Sequence, residues 1–309
     1  MASLLFLHTA IQAGIPLLFA TLGEILTEKS GHLNLGVEGT MLVGAVMGFM
    51  VGNATNQPIL AIIAAGLGGA LMSFIYAFLT VSLRTNQVVT GLSITILGTG
   101  ISGFIGQSLV GEVLSPEFKM FFIEIEIPIL SQIPYIGQLL FHHNIFVYLG
   151  IITAIAMGIY LSHTQKGLNL RTVGENPAVA DANGVNISLY KYAHCMIGGA
   201  LCGLGGAYLS LVYIPAWQEN ITAGRGWIAV ALVIFSMWSP YKAIFGAILF
   251  GGLDIIGFRI QGMNIQISQY LIDMLPYIVT ILVLIYNSMK NQGDGGPKGL
   301  SVAYFREER

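Results

Sequence analysis

The chain has 309 residues, 55% of them hydrophobic and only 9% charged, with a formal net charge of −2. A soluble domain carries about 25% charged residues, so a water-soluble globule is excluded, and the mean hydropathy of +0.76 indicates a polytopic α-helical membrane protein. The net charge is uninformative; the placement of the charges is not.

In chain order, apolar segments fall at about residues 10–26, 38–52, 58–83, 87–110, 144–162, 192–213, 227–239, 242–258 and 270–289. Most approach the roughly 20 residues that cross a bilayer. The prediction is an all-α transmembrane bundle of about 8–10 spans, a transmembrane domain over residues 1–289 followed by a polar cytoplasmic tail, 290–309. No basic stretch precedes the first apolar run, so no cleaved signal peptide is expected. Segments 38–52 and 227–239 are short, and short or interrupted helices mark the working part of many transporters.

Between the first two segments lies Glu28-Lys29-Ser30-Gly31-His32-Leu33-Asn34-Leu35-Gly36-Val37-Glu38-Gly39. Irregular polar backbone between apolar pieces is tolerated where it is buried in protein or lines a wet path. Asn34 and Glu38 are therefore candidate pathway residues, and Glu24 is expected to pair with Lys29. Asn86, Thr90 and Ser93 then open another span. They can bond sugar hydroxyls or nucleobase edges, or equally neighbouring helices and their own backbone.

Segment 111–143 is the main external loop. Its alternating Ile123-Glu124-Ile125-Glu126-Ile127 predicts a short strand or extended strap. His142-His143 reads as solvated rather than ligating, and no metal site is expected.

Loop 163–191 carries Asn176-Pro177-Ala178-Val179-Ala180-Asp181-Ala182-Asn183-Gly184. This reads as a short helix, with Asn176 capping free N–H groups, Pro177 at the first position and Gly184 in the left-handed stop. Such a helix suits another protein's groove, or merely connects two spans. Beyond it, Cys195 and Cys202 lie on one helix face, too far apart to bond, and read as packing residues. Gly44/Gly48/Gly52 and Gly199/Gly203 form small-residue rows that let helices approach closely. Trp217, Glu219, Asn220 and Trp227 surround an external turn that could be a gate, a contact for a binding protein or an interfacial anchor. Asp254 and Asp273 are expected to pair with Arg259.

With loop 163–191 in the cytoplasm, ten of the thirteen Lys and Arg residues face inside, as the positive-inside rule requires. The C-terminus is then inside and, if all nine segments span, the N-terminus outside. Gly36–Ala45 also matches Gly224–Val233 in pattern, and this topology runs the two in opposite directions, an inverted repeat.

No G-x-x-x-x-G-K-[S/T] cradle, metal-ligand spacing or nucleophile elbow occurs. Neither a catalytic constellation nor a cofactor of the chain's own is expected.

The stretch Glu28–Gly39, Asn86-Gln87-Val88-Val89-Thr90-Gly91-Leu92, Leu170-Arg171-Thr172-Val173-Gly174-Glu175-Asn176-Pro177 with Ala180 and Gly184-Val185-Asn186, and Gly198–Ala207 together resemble one family. It is that of the bacterial ABC-importer permeases for ribose, branched-chain amino acids and nucleosides, and Asn-Leu-Gly-Val-Glu-Gly is most similar to the nucleoside, or simple-sugar, branch. The resemblance implies a multi-pass permease of the bacterial inner membrane that performs no covalent chemistry itself. It implies a second permease chain, identical or different, a cytoplasmic ATPase pair that consumes ATP-Mg, and an extracytoplasmic substrate-binding protein. It also assigns ATPase coupling to Arg171, Gly174, Glu175, Asn176, Pro177, Ala180 and Gly184, with Thr172 standing where many relatives have alanine. Alternatives are a permease for ribose-like sugars or branched-chain amino acids, or a proton-coupled secondary transporter using Glu38 or Asp254.

Overall fold

A computed structural model describes residues 2–126, 128, 131, 133, 136–262, 271, 274–289 and 295–305. Its helices are α1 (Ala2–Lys29), α2 (Val37–Thr55), α3 (Pro58–Ala77), α4 (Gln87–Gly106), α5 (Pro116–Met120), α6 (Ile136–Leu140), α7 (Ile145–His163), α8 (Gln165–Glu175), α9 (Pro177–Ala182), α10 (Ile187–Tyr208), α11 (Arg225–Phe235), α12 (Pro240–Gly262) and α13 (Leu275–Met289). One two-residue antiparallel pair joins β1 (Ile125–Glu126) to β2 (His142–His143). Among the described residues seven helices are long and apolar enough to cross a membrane.

Local chemistry explains the helix starts. Asn86, Asn144, Asn176 and Asn186 each accept the N–H three residues on, and the Thr164 hydroxyl caps α8 in the same way. These caps take up N–H groups that have no intrahelical partner. Segment 38–52, expected to be short, is a 19-residue helix, because Val37 joins its first turn and Asn53, Ala54 and Thr55 extend its end. The short segment is α11, of eleven residues. Its C-terminal turn passes through Met237 and Trp238, both left-handed. The expected strap does pair, with Ile125 opposite His143 and Glu126 opposite His142.

The centre of the bundle is α1, α2, α3, α10 and α12. α1 packs on α10 and α12, while α10 packs on α1 and α3. Exchanging α1 with α10 and α3 with α12 turns one set of contacts into the other, as an internal repeat would. A Cβ on Gly203 of α10 would lie 2.4 Å from the Ala65 carbonyl oxygen of α3, and one on Gly14 of α1 would lie 2.4 Å from that of Ala247 in α12. At both crossings the backbones touch, which only glycine permits.

The bundle has two distinct ends. Lys29, the 163–191 loop and residues 295–305 share one end, called the inner end after the expectation from charge placement. The start of α1 meets Glu124 and His142 at the outer one. The polar tail is pinned over its described part. Gly299 N–H donates to the Gly174 carbonyl at 2.9 Å, Ser301 N–H to that of Gly31 at 3.2 Å, and the Tyr304 hydroxyl to Asp181 at 3.0 Å.

Candidate functional site

An open cleft of about 350 Å³ lies on the outer half of α4. Thr99, Gly103 and Gln107 follow one another at four-residue spacing and so share a helix face. Phe104 stands beside them, 83% exposed. The loop after α10 supplies Glu219 and Asn220 to the same cleft. That loop is held in place: Leu114 N–H donates to the Pro215 carbonyl at 3.2 Å, and Trp217 N–H to that of Glu112 at 3.1 Å. Trp217 itself is buried against Gly106, where a Cβ would collide with the indole. An aromatic face beside two amides, a hydroxyl and a carboxylate can stack a planar ligand and bond its edge.

Glu38 has a different place from the pathway one expected of it. Buried in the first turn of α2, its carboxylate accepts Thr222 Oγ1, Gly224 N at 2.8 Å and Gly226 N at 2.6 Å. α11 begins at Gly224 without a side-chain cap of its own, so Glu38 of α2 caps it from across the repeat. An anion at a helix N-terminus is favoured by the orphan N–H groups and the dipole alike. In the sequence alignment of the two repeats Glu38 matches Gly226, and the two residues are in backbone contact.

The other candidates for the pathway are likewise engaged. Asn34 is buried; its side-chain oxygen accepts Gly36 N–H at 2.8 Å, and its own N–H donates to Glu24 at 2.9 Å. Asn86 caps α4, and buried Thr90 donates to the Asn86 carbonyl. Ser93 is exposed and bonds the Val89 carbonyl. None of these five lines the outer cleft. Thr99, Phe104 and Gln107 escaped the sequence reading because they look like any polar and aromatic residues in an apolar helix. Only the exposed loop-side pair, Glu219 and Asn220, had stood out.

Two expected ion pairs are replaced. The Lys29 ammonium donates to the Gly295 carbonyl at 3.0 Å rather than meeting Glu24. Asp254 pairs with Arg225 at 3.1 Å, while the Arg259 guanidinium lies over the Phe6 ring. Asp273 lies outside the described residues. His143, expected to be solvated, is buried, with its ring stacked on His8.

At the inner end the short helix forms as its residues predict. Asn176 caps α9 with Pro177 in its first turn, and Gly184 turns left-handed at φ 76° while Val185 N–H returns to the Ala180 carbonyl at 3.0 Å. Ala180 is buried and Gly174 abuts the Lys29 carbonyl, so a Cβ there would lie 2.3 Å from that oxygen. Glu175 is exposed and accepts Lys298 N–H at 3.2 Å. The tail thus ties α8 and α9 to the polar break. Next to them a cavity of about 480 Å³ is lined by His32, Arg84, Gln87, Asp181, Lys191 and Tyr304. Burial, with the Lys191 charge second, pushes His32 down to about 3.

The family described as branched-chain amino acid transport system / permease component matches residues 6–284. The chain belongs to this family. It is a multi-pass membrane protein and an ABC transporter permease. Among its relatives are a Haloferax volcanii chain provisionally named as the glucose ABC transporter permease TsgC13 (35% identical, 97% of each chain covered), the nucleoside ABC transporter permease NupC of Lactococcus lactis (34%, 87% of each) and the guanosine ABC transporter permease NupQ of Bacillus subtilis (33%, 95% of this chain and 94% of that one). Among solved structures, an inward-facing ABC transporter provisionally assigned to the metal-chelate type shares the fold, with TM-score 0.52 at 13% identity over 91% of this chain and 85% of that one.

Proposed function

We propose that this permease imports nucleosides and that its outer cleft is one half of the pathway. The observation that carries the proposal is the exposed Phe104 ring flanked by Gln107, Glu219 and Asn220. Base–aromatic stacking is tolerant of base identity, amides pair with base edges, and a carboxylate accepts from ribose hydroxyls. Two relatives named for nucleoside and guanosine transport support this cargo. α4 is the least buried of the seven long helices, which suits a second permease chain packed opposite it. The pathway then runs between the two chains, fed by an extracytoplasmic binding protein.

The power stroke comes from a cytoplasmic ATPase pair that holds ATP-Mg; this chain holds no cofactor. α9 docks in the ATPase, with Arg171, Glu175, Asn176 and Pro177 at the contact and Gly174, Ala180 and Gly184 shaping it. ATPase closure pushes α9, and the tail carries the displacement to the break between α1 and α2. A proton-coupled mechanism has little to draw on, because Glu38 is locked by three donors and Asp254 by Arg225.

A hexose is the second reading, favoured by the likeness to TsgC13. Reconstitution with the cognate ATPase, partner permease and binding protein separates the two. ATP-dependent uptake of labelled guanosine, uridine, glucose, ribose and leucine is measured. Nucleoside uptake is expected, with Phe104→Ala raising KM about tenfold from the loss of a stacking contact of about 1–3 kcal/mol. Glucose uptake without nucleoside uptake would overturn the assignment.

A further inference from the structure

The outer end of the bundle gathers a set of side chains apart from the cleft proposed as the pathway. His8 in α1, Glu124 just before β1 and His142 in β2 each present a ligand atom, all within 4.8 Å of one another. His8 Nε2 lies 3.7 Å from Glu124 Oε1, and His142 Nδ1 lies 3.5 Å from Glu124 Oε2. Both distances exceed a hydrogen bond. They are close to the edge of a coordination tetrahedron, about 3.3–3.5 Å for ligands about 2.0–2.1 Å from a zinc ion.

The surroundings are those of a metal site. Gln12 donates to Glu124 Oε1 at 2.7 Å and so orients the carboxylate. Glu126 lies 3.4 Å from His142 Nε2 and sets a negative charge on that side of the ring, away from the Nδ1 that faces Glu124. Such outer partners hold the tautomer and aim of metal-ligating groups. A cavity of about 670 Å³ opens on Glu124, Glu126 and His142, giving an ion an approach and a water a fourth position. His8 Nε2 contacts the His142 carbonyl at 2.7 Å. Ligation through it moves the ring proton to Nδ1 and exchanges that contact for the metal bond.

We propose that His8, Glu124 and His142 bind a divalent transition ion of the zinc class, which fastens the outer strap to the start of α1. Two imidazoles and one carboxylate favour zinc over magnesium or calcium, which take oxygen ligands. Without the ion the described strap is held at this point by a two-residue strand pair and by the Gln12–Glu124 and His8–His142 contacts, and the ion adds a coordination bond from each side.

The test uses the purified full-length chain in detergent, free of any affinity tag, titrated with Zn²⁺ alone and then with Co²⁺. About one zinc per chain is expected, with cobalt giving a visible spectrum of a low-coordinate site and magnesium not competing. His8→Ala and His142→Ala should each weaken binding at least tenfold, and Gln12→Ala by less, as for an outer-sphere partner. Zinc should also slow protease cleavage between residues 111 and 143 in the wild type and not in His142→Ala. Should His8→Ala fail to fold, Glu124→Gln in the solvent-facing strap gives the same reading. Binding well below one equivalent, or unchanged in a folded His8→Ala/His142→Ala double variant, overturns the proposal.

Discussion

Glu38→Gln tests whether the two repeats are joined by one buried carboxylate. The amide keeps one oxygen, which can still accept Thr222 and Gly224. Its nitrogen then faces Gly226 N–H, now held at 2.6 Å by a carboxylate oxygen. One charge-assisted bond is lost, worth about 1.5–3 kcal/mol, and a buried N–H is left unpaired. The anion at the α11 N-terminus is lost as well, for about 0.3–1 kcal/mol more. The sum is about 3 kcal/mol, enough to lower the heat-inactivation midpoint by about 4–5 °C for a chain of this size. The assay is loss of monodisperse protein in detergent after brief heating, beside ATP-driven uptake at several pH values. An unchanged midpoint would refute the capping role. A normal midpoint with an altered pH profile of uptake would instead make Glu38 a proton carrier.

Other outcomes follow from the same contacts. Glu175→Arg should leave the chain folded and in the membrane, since Glu175 is exposed, yet abolish ATP-driven uptake; transport at the wild-type rate would remove the coupling role. Gly203→Ala should destabilise the α3–α10 crossing by about 1–3 kcal/mol or more, as overpacking does, because its Cβ would sit 2.4 Å from the Ala65 oxygen; a heat-inactivation series reads this directly. Tyr304→Phe removes the tail's bond to Asp181 and should slow uptake without lowering ATPase activity, measured in the same proteoliposomes. His32, pushed down to about 3, stays neutral in the folded chain while its unfolded counterpart takes a proton near pH 6.5. Its contribution is therefore present above pH 6.5 and lost as pH falls towards 3, about 2 kcal/mol by pH 5; a His32→Gln chain should lose that part of the acid sensitivity.

Much of the architecture is legible in the residues because membranes impose severe rules. Apolar run length marks the spans, and Asn176, Pro177 and Gly184 each have one backbone role, which α9 fulfils. The polar break and α11 stand out for the same reason: unsatisfied backbone in lipid is too costly to leave without purpose. What only the tertiary structure decided is which polar group meets which. Glu38 reads as a pathway residue until Thr222, Gly224 and Gly226 are seen around it. Asp254 finds Arg225, not Arg259, because helix packing brings α11 beside α12. The cleft residues Phe104 and Gln107, and the cluster of His8, Glu124 and His142, come from segments far apart in the chain. Hydropathy is a property of one stretch at a time, whereas a site is an agreement between stretches. The close helix crossings that create such agreements are set by backbone contact at glycine, with a partner that no single stretch names.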